Sequence, residues 1–263
     1  MLRSRRGATG ALASVELRDP VFISDLHLTE DRPRTLQRFL RVVEELRSQR
    51  RELVILGDLF EYWAGDEEAA EGVGGIVSGA LRSLTETGTP VYLMHGNRDV
   101  LLGDGFARAT GAVFLADPCH TELGGVATLL AHGDAYCTLD TSYQAFRLVA
   151  RSRFCQRLFL GGSLALRRAL IGRVRRLSEA GKKTMAAQIM DVTPKAIDRA
   201  LRSARVSRMI HGHTHRPAKH QWSLDDHSAE RWVLSDWDFE GESPRGACLQ
   251  VAGKELALID LEP

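Results

Sequence analysis

Two stretches decide how this chain folds: VFISDLH at residues 21–27 and ELVILGD at residues 52–58. Each runs apolar for several residues and then stops at polar ones. Short apolar runs bounded this way read as strands buried on both faces. The pattern recurs at 90–94 and 126–131, and the intervening 33–47 and 71–87 carry helical spacing. Strand and helix in alternation predict a layered α/β body with a largely buried sheet. Strand-like runs return at 206–210, 231–234, 247–251 and 256–261.

Between these blocks the pattern is helical, at 143–150, 153–177 and 194–204, with Pro194 suited to a first helical turn. The expected organisation is one body (20–139 and 206–263) interrupted by a helical insertion at 140–205. A loose N-terminal arm at 1–19 precedes it, with four arginines and too little apolar sequence for a signal peptide. A chain of 263 residues, 44% hydrophobic, buries a full core without staples. Its four cysteines show no CxxC spacing and read as reduced thiols. No run of 18 apolar residues is present to span a membrane.

The net charge of +1 conceals an asymmetry. Residues 140–210 hold sixteen Lys and Arg against four Asp and Glu, so the remainder is strongly acidic. A basic block on an acidic body predicts an anionic partner: phosphates, nucleic acid or an anionic membrane surface.

Chemistry gathers where the apolar runs stop, as it does at strand ends in open α/β sheets. Asp25-Leu26-His27 puts a carboxylate and an imidazole on one side of an extended segment. Gly57-Asp58, Gly96-Asn97-Arg98-Asp99 and His132-Gly133-Asp134 follow the next runs, and Gly212-His213-Thr214-His215 repeats the alternate pairing. Any one of these strings is common. Five in order, each after a strand, supply a mixed oxygen and nitrogen donor set that suits Mn, Fe or Zn.

The series DLH, GD, GNRD, HGD and GHTH resembles the calcineurin-like metallophosphoesterase superfamily. That resemblance implies a sandwich of two mixed β-sheets flanked by helices, with a binuclear centre. It assigns Asp25, His27 and His215 to one metal, Asn97, His132 and His213 to the other, and Asp58 to a bridge between them. The expected cofactor is a pair of divalent ions, Mn2+ by preference. Longer strings are similar to the UDP-2,3-diacylglucosamine diphosphatase family of Gram-negative lipid A biosynthesis. They include GDLFEYWAGDE (57–67), HGNRDVLLG (95–103), HGDAYCTLDTSYQAFR (132–147), QIMDVTP (188–194) and HGHTHRPA (211–218).

This closer likeness implies hydrolysis of a lipid-linked UDP-sugar to UMP and 2,3-diacylglucosamine 1-phosphate. Arg98 stands where most of the superfamily has His; a guanidinium cannot serve as a base, so it is assigned to stabilising phosphate charge. Asp99 is expected to orient a neighbour, either Arg98 or a metal-ligating imidazole. Asn97, Arg98 and His213 would meet substrate from the body, and Asp140, Tyr143 and Phe146 from the lid's edge. Arg175 and Ser178 would reach the glucosamine or its phosphate.

The insertion becomes a lid: Arg157, Arg173, Lys182 and Lys183 add cations, while Leu158, Phe159, Leu164, Leu166, Leu170, Ile171 and Val174 offer apolar surface to acyl chains or pack the helices together. A basic amphipathic helix also suits an anionic leaflet, so attachment to the cytoplasmic face of the inner membrane is expected. No obligate protein partner is inferred. The competing readings are another calcineurin-like phosphodiesterase acting on nucleotides or nucleic acid, and a non-catalytic scaffold. The first lacks the aromatic interleaving of single-strand platforms; the second should have lost ligands, and none of the seven is missing.

Overall fold

The computed structural model describes residues 12–182, 191–253 and 255–263. Its first sheet has the order β11-β10-β1-β2-β3-β4: β1 (Pro20–Ile23), β2 (Glu52–Ile55), β3 (Val91–Met94) and β4 (Val113–Leu115) are parallel. Next to β1, β10 (Ala247–Ala252) is antiparallel, followed by β11 (Glu255–Asp260). The second sheet has the order β5-β6-β7-β9-β8, from β5 (Cys119–Leu123), β6 (Val126–Ala131), β7 (Arg208–His211), β8 (Ala218–Leu224) and β9 (His227–Val233).

Side-chain alternation along the strands builds the layers. Val21 and Ile23, Leu53 and Ile55, Val91 and Leu93 point outward into a core shared with α1 (Pro33–Gln49), α2 (Gly72–Glu86) and α3 (Asp104–Thr110). Phe22, Val54, Tyr92 and Met94, one residue out of phase, point into the core between the sheets, where they meet Leu130, Ile210 and Trp232. Both faces of each central strand are therefore buried, which is why the sequence there is continuously apolar. A slip of one residue would exchange the two sets. The fold is the expected sandwich of two mixed sheets flanked by helices.

Four features differ from the sequence reading. The arm is anchored over its described part: Val15 N–H donates to His120 O at 2.9 Å, and His120 N–H donates to Ala13 O at 2.8 Å. The run 153–177 is not one helix. It breaks at Gly161-Gly162 into α5 (Arg153–Leu160) and α6 (Leu164–Lys182). The expected insertion at 140–205 also divides. Its last helix, α7 (Pro194–Ala204), packs Ile197 and Leu201 against Leu129 and Met209 on the second sheet and belongs with the body. Parallel β6 and β7 need such a crossover. What stands off the body is α4 (Thr141–Ala150), α5 and α6. Finally, β4, β5, β8 and α3 are added to the elements expected from the sequence pattern; they are short or, in β8, mostly exposed and polar.

The standing-off helices are fastened by arginines rather than by a core; α4 and α5 bury no residue. Among the described side chains of α6, Arg167 is the buried one, donating to Ala64 O at 2.6 Å and to the Glu67 carboxylate. Arg168 meets Glu68 Oε1 at 2.8 Å. Ten of the fourteen exposed large hydrophobic side chains among the described residues lie between Leu139 and Val174, so apolar exposure is a property of this segment, not of the surface at large. No helix among the described residues is long and apolar enough to cross a membrane.

The contrast is measurable. Phe22→Ala, at a fully buried position between the sheets, is expected to lower the urea-unfolding free energy by about 3–5 kcal/mol. Phe154→Ala, 76% exposed on α5, should change it by less than about 0.5 kcal/mol.

Candidate metal centre

The seven expected ligands sit in five segments that follow β1, β2, β3, β6 and β7. Their backbone is unusual. Asp25, His27, Asp58, His213 and His215 all have φ between +51° and +69°, a region costly for side chains with a Cβ. Among described non-glycine residues, the other four with positive φ are the helix-ending Arg50 and Arg205 and the turn Asp225-Asp226. Outside such turns, strain is confined to the centre, as at sites whose geometry the surroundings over-determine. Backbone pairing continues past the strands to hold it: Asp25 N–H donates to Gly57 O (3.1 Å), His27 N–H to Asp58 O (3.0 Å) and Leu28 N–H to Leu59 O (2.9 Å).

Two donor groups result. Asp25, His27 and His215 present atoms within 4.8 Å of one another, and so do Asp58, His132 and His213. Asn97 joins the second, its Oδ1 lying 3.1 Å from His132 Nε2. Asp58 stands between them: Oδ2 is 3.9 Å from His27 Nε2 and Oδ1 is 3.8 Å from His132 Nε2.

The outer nitrogens have partners of their own. His132 Nδ1 contacts Leu56 O at 2.9 Å, and His27 Nδ1 contacts Glu61 Oε2 at 2.8 Å. Such contacts leave Nε2 lone pairs facing inward. Asp25 Oδ1 is buried without a well-formed hydrogen bond, with His215 Nε2 at 3.4 Å. Inward imidazole lone pairs around an unsatisfied carboxylate oxygen fit a bound cation.

Electrostatics agree. Burial opposes a charge on His132, yet Asp58, Asp134 and Asp25 outweigh it and raise its pKa to about 9. The buried cluster thus carries an excess of negative charge. His213 goes the other way, lowered to about 3 by burial and then by His132, so its imidazole is neutral and free to donate a lone pair.

Of the other expected site residues, Arg98 is beside the centre: its N–H donates to Asp58 Oδ1 at 2.8 Å and its guanidinium lies 3.6 Å from Glu61 Oε1. Tyr143 is also there, its ring 6.1 Å from that of His213 and its hydroxyl donating to Asp134 Oδ2 at 2.6 Å. Asp99 corrects an expectation. It orients neither Arg98 nor an imidazole; fully buried, it accepts the N–H groups of Leu59 (2.8 Å) and Gly96 (2.8 Å) and ties two loops together. Burial and the nearby Asp58 raise its pKa, and those N–H groups work against the rise. Asp140 caps α4, accepting Tyr143 N–H at 2.9 Å. Phe146 is half exposed on the same helix. The side chains of Arg175, Ser178 and Lys182, and all of Lys183, lie outside the described residues.

Three groups escaped the sequence reading. Glu61 links His27 to Arg98. Arg147 and Arg151 of α4 reach Asp134 at 2.9 and 3.4 Å and also face Asp117, at 3.7 and 3.5 Å. Burial opposes the Asp134 charge, but His132 and the two arginines hold its carboxyl well below the usual range. The signal for Glu61 was its place in the GDLFEYW string; the arginines were indistinguishable from the rest of the basic block.

Gly96 sets how closely two segments approach, since a Cβ there would lie 2.0 Å from Asp58 Oδ1. Gly96→Ala is expected to weaken Mn2+ binding, measured by calorimetry, by at least about tenfold, while the chain stays folded by circular dichroism.

The calcineurin-like phosphoesterase family model matches residues 21–217. Three curated proteins named UDP-2,3-diacylglucosamine hydrolase are similar to the chain. That of Ralstonia nicotianae is 44% identical over 254 residues, covering 93% of this chain and 93% of its own. That of Aromatoleum aromaticum is 46% identical, covering 82% and 88%, and that of Aeromonas hydrophila 43% identical, covering 84% and 91%. With the family's match spanning both donor groups and the relatives aligned over most of their length, this chain belongs to the calcineurin-like phosphoesterase family.

Proposed function

We propose that the chain hydrolyses UDP-2,3-diacylglucosamine to UMP and 2,3-diacylglucosamine 1-phosphate, with Asp25, His27 and His215 holding one divalent ion and Asn97, His132 and His213 the other. Asp58 would be shared by both. The observation that carries the reading is the adjacency of two donor groups meeting at Asp58 to a helical segment whose apolar side chains are exposed. Relatives named for that substrate supply its identity.

Two divalent ions, for which Mn2+ suits the mixed donors, would supply acidification of a water and charge stabilisation on the phosphoryl oxygens. The chain's own residues do the rest. Arg98, held by Glu61 and by its own N–H to Asp58, presents a permanent cation to phosphate charge as it develops. Tyr143 closes the His213 side of the centre. Neutral His213 is a ligand rather than an acid. Water adds to the phosphorus on the uridine side, and the leaving phosphate departs with the sugar.

The segment α4–α6 fits the lid role. Leu158, Leu166, Leu170 and Val174 are 74%, 54%, 44% and 50% exposed, so they are not spent on packing within the described structure. Exposed Arg153, Arg157 and Arg173 lie among them. Acyl chains and an anionic leaflet present the complementary surface, which supports attachment to the cytoplasmic face of the inner membrane.

The direct test is incubation of purified protein with Mn2+ and UDP-2,3-diacylglucosamine, with UMP read by chromatography. UMP release should need added metal and fall at least about a thousandfold in Asp58→Asn, because the shared carboxylate serves both ions. Activity of the metal-stripped protein would refute the binuclear reading.

The lid makes a second prediction. Replacing Leu166 and Leu170 together by Asp should depress cleavage of the diacylated substrate by about tenfold or more through lost acyl binding. Hydrolysis of bis(p-nitrophenyl) phosphate should stay within about twofold, since remote binding does not act on it. Equal loss of both activities in the folded variant would remove the acyl site from the lid.

A further inference from the structure

Glu61 occupies a position that neither donor group includes, and its two carboxylate oxygens face different partners. Oε2 lies 2.8 Å from His27 Nδ1, on the side of the ring away from the donor group. Oε1 lies 3.6 Å from the Arg98 guanidinium. All three side chains are largely buried, at 12% exposure for Glu61, 10% for His27 and 21% for Arg98. A charge pair so withdrawn from water is weakly screened and sensitive to geometry.

The backbone makes the placement rigid. Glu61 N–H donates to Leu28 O at 3.2 Å, directly after the rungs that join His27 to Asp58 and Leu28 to Leu59. Leu28 and Phe60 form a parallel bridge. The segments carrying His27 and Glu61 are therefore one short extension of the β1–β2 pairing, and the 2.8 Å contact is fixed by the same ladder that sets the strained φ of His27 and Asp58. Arg98 enters from the β3 side and is held at two points, its N–H on Asp58 and its guanidinium on Glu61.

We infer that Glu61 is a positioning residue that couples the two halves of the centre: one oxygen fixes the His27 ring with Nε2 inward, and the other aims Arg98 at the phosphoryl group. This rests on the metal and Arg98 roles proposed above. A carboxylate is needed for both tasks at once. One oxygen keeps Nδ1 of His27 turned outward through a 2.8 Å contact that is not aligned as a hydrogen bond, and the charge holds the guanidinium, which a neutral acceptor does less well.

The two tasks separate by substitution. Glu61→Gln keeps an oxygen for His27 but no charge for Arg98. With Mn2+ titrated by calorimetry and bis(p-nitrophenyl) phosphate as substrate, its metal affinity should stay within about threefold, while kcat at saturating Mn2+ falls about tenfold with KM little changed. Glu61→Ala should lose both, with Mn2+ affinity at one of two sites weakened by about 10–100-fold. At saturating Mn2+, Glu61→Ala combined with Arg98→Ala should lose no more kcat than Arg98→Ala alone, because the carboxylate acts through the guanidinium.

Additive losses in that cycle, or a Gln variant with wild-type kcat, would overturn the inference. If the Ala variant does not fold, the isosteric Gln variant and its own double mutant with Arg98→Ala carry the same test. The small diester keeps the outcome independent of the lipid substrate. Wild-type protein that binds two Mn2+ and cleaves the diester but not the UDP-lipid would refute the substrate alone. Wild-type protein that binds no Mn2+ would refute the metal assignment and this inference together.

Discussion

A buried carboxylate shared between two clusters of imidazoles is the constraint around which the chain is built. Asp58 is 2% exposed, and an ionised carboxylate withdrawn from water this far is costly unless charge and hydrogen bonds surround it. Here Arg98 N–H supplies a hydrogen bond, and His27 and His132 stand within 4 Å on opposite oxygens. To deliver these groups, three parallel strands end at the same level, and after β1 and β2 the backbone turns through positive φ at Asp25, His27 and Asp58. The two hydrophobic cores on either side of the first sheet make that turn tolerable: strands buried on both faces cannot shift to relieve it.

The second organising interaction is the fastening of the helical segment. A lid without a core of its own needs another means of attachment, and α4–α6 uses charge. Arg147 and Arg151 run to Asp117 and Asp134 beside the centre, and Arg167 and Arg168 run to Glu67 and Glu68 at the far end. Paired Arg and carboxylate groups are directional, so they fix where the segment sits without consuming its apolar side chains. The basic block read from sequence as an offer to an anionic partner is thus partly spent within the chain. Arg153, Arg157 and Arg173 remain on the surface for outside use.

Much of this was legible in the sequence because strand ends are marked twice, by the end of an apolar run and by the polar motif that follows. The alternating strands and the Asp, Asn and His side chains that close them follow from such marks, whereas the sandwich of two mixed sheets and the division of the ligands between two groups follow from the family resemblance. What was not legible depends on partners far away in sequence. Asp99 looked like a catalytic neighbour of Arg98, but besides the nearby Gly96 amide it accepts the Leu59 amide, 40 residues earlier in the chain. α7 looked like more of the insertion because its helical pattern says nothing about which surface it covers. Glu61 was one acid in a quoted string, and only the approach of the first two strands shows what its oxygens face.

The pairing of residues 13–15 with β5 bears on solubility rather than chemistry. β5 is an outer strand of the second sheet, and its free side would present unpaired amides and carbonyls. The described part of the N-terminal segment covers it through the parallel bridge of Ser14 with His120 and the two hydrogen bonds beside it, while Val15 and Leu17 pack against the core between the sheets. It behaves as a partial sixth strand. Trimming the chain to the start of β1 at Pro20 would leave the donor groups in place but uncover a β-edge, the kind of surface through which copies of a protein associate.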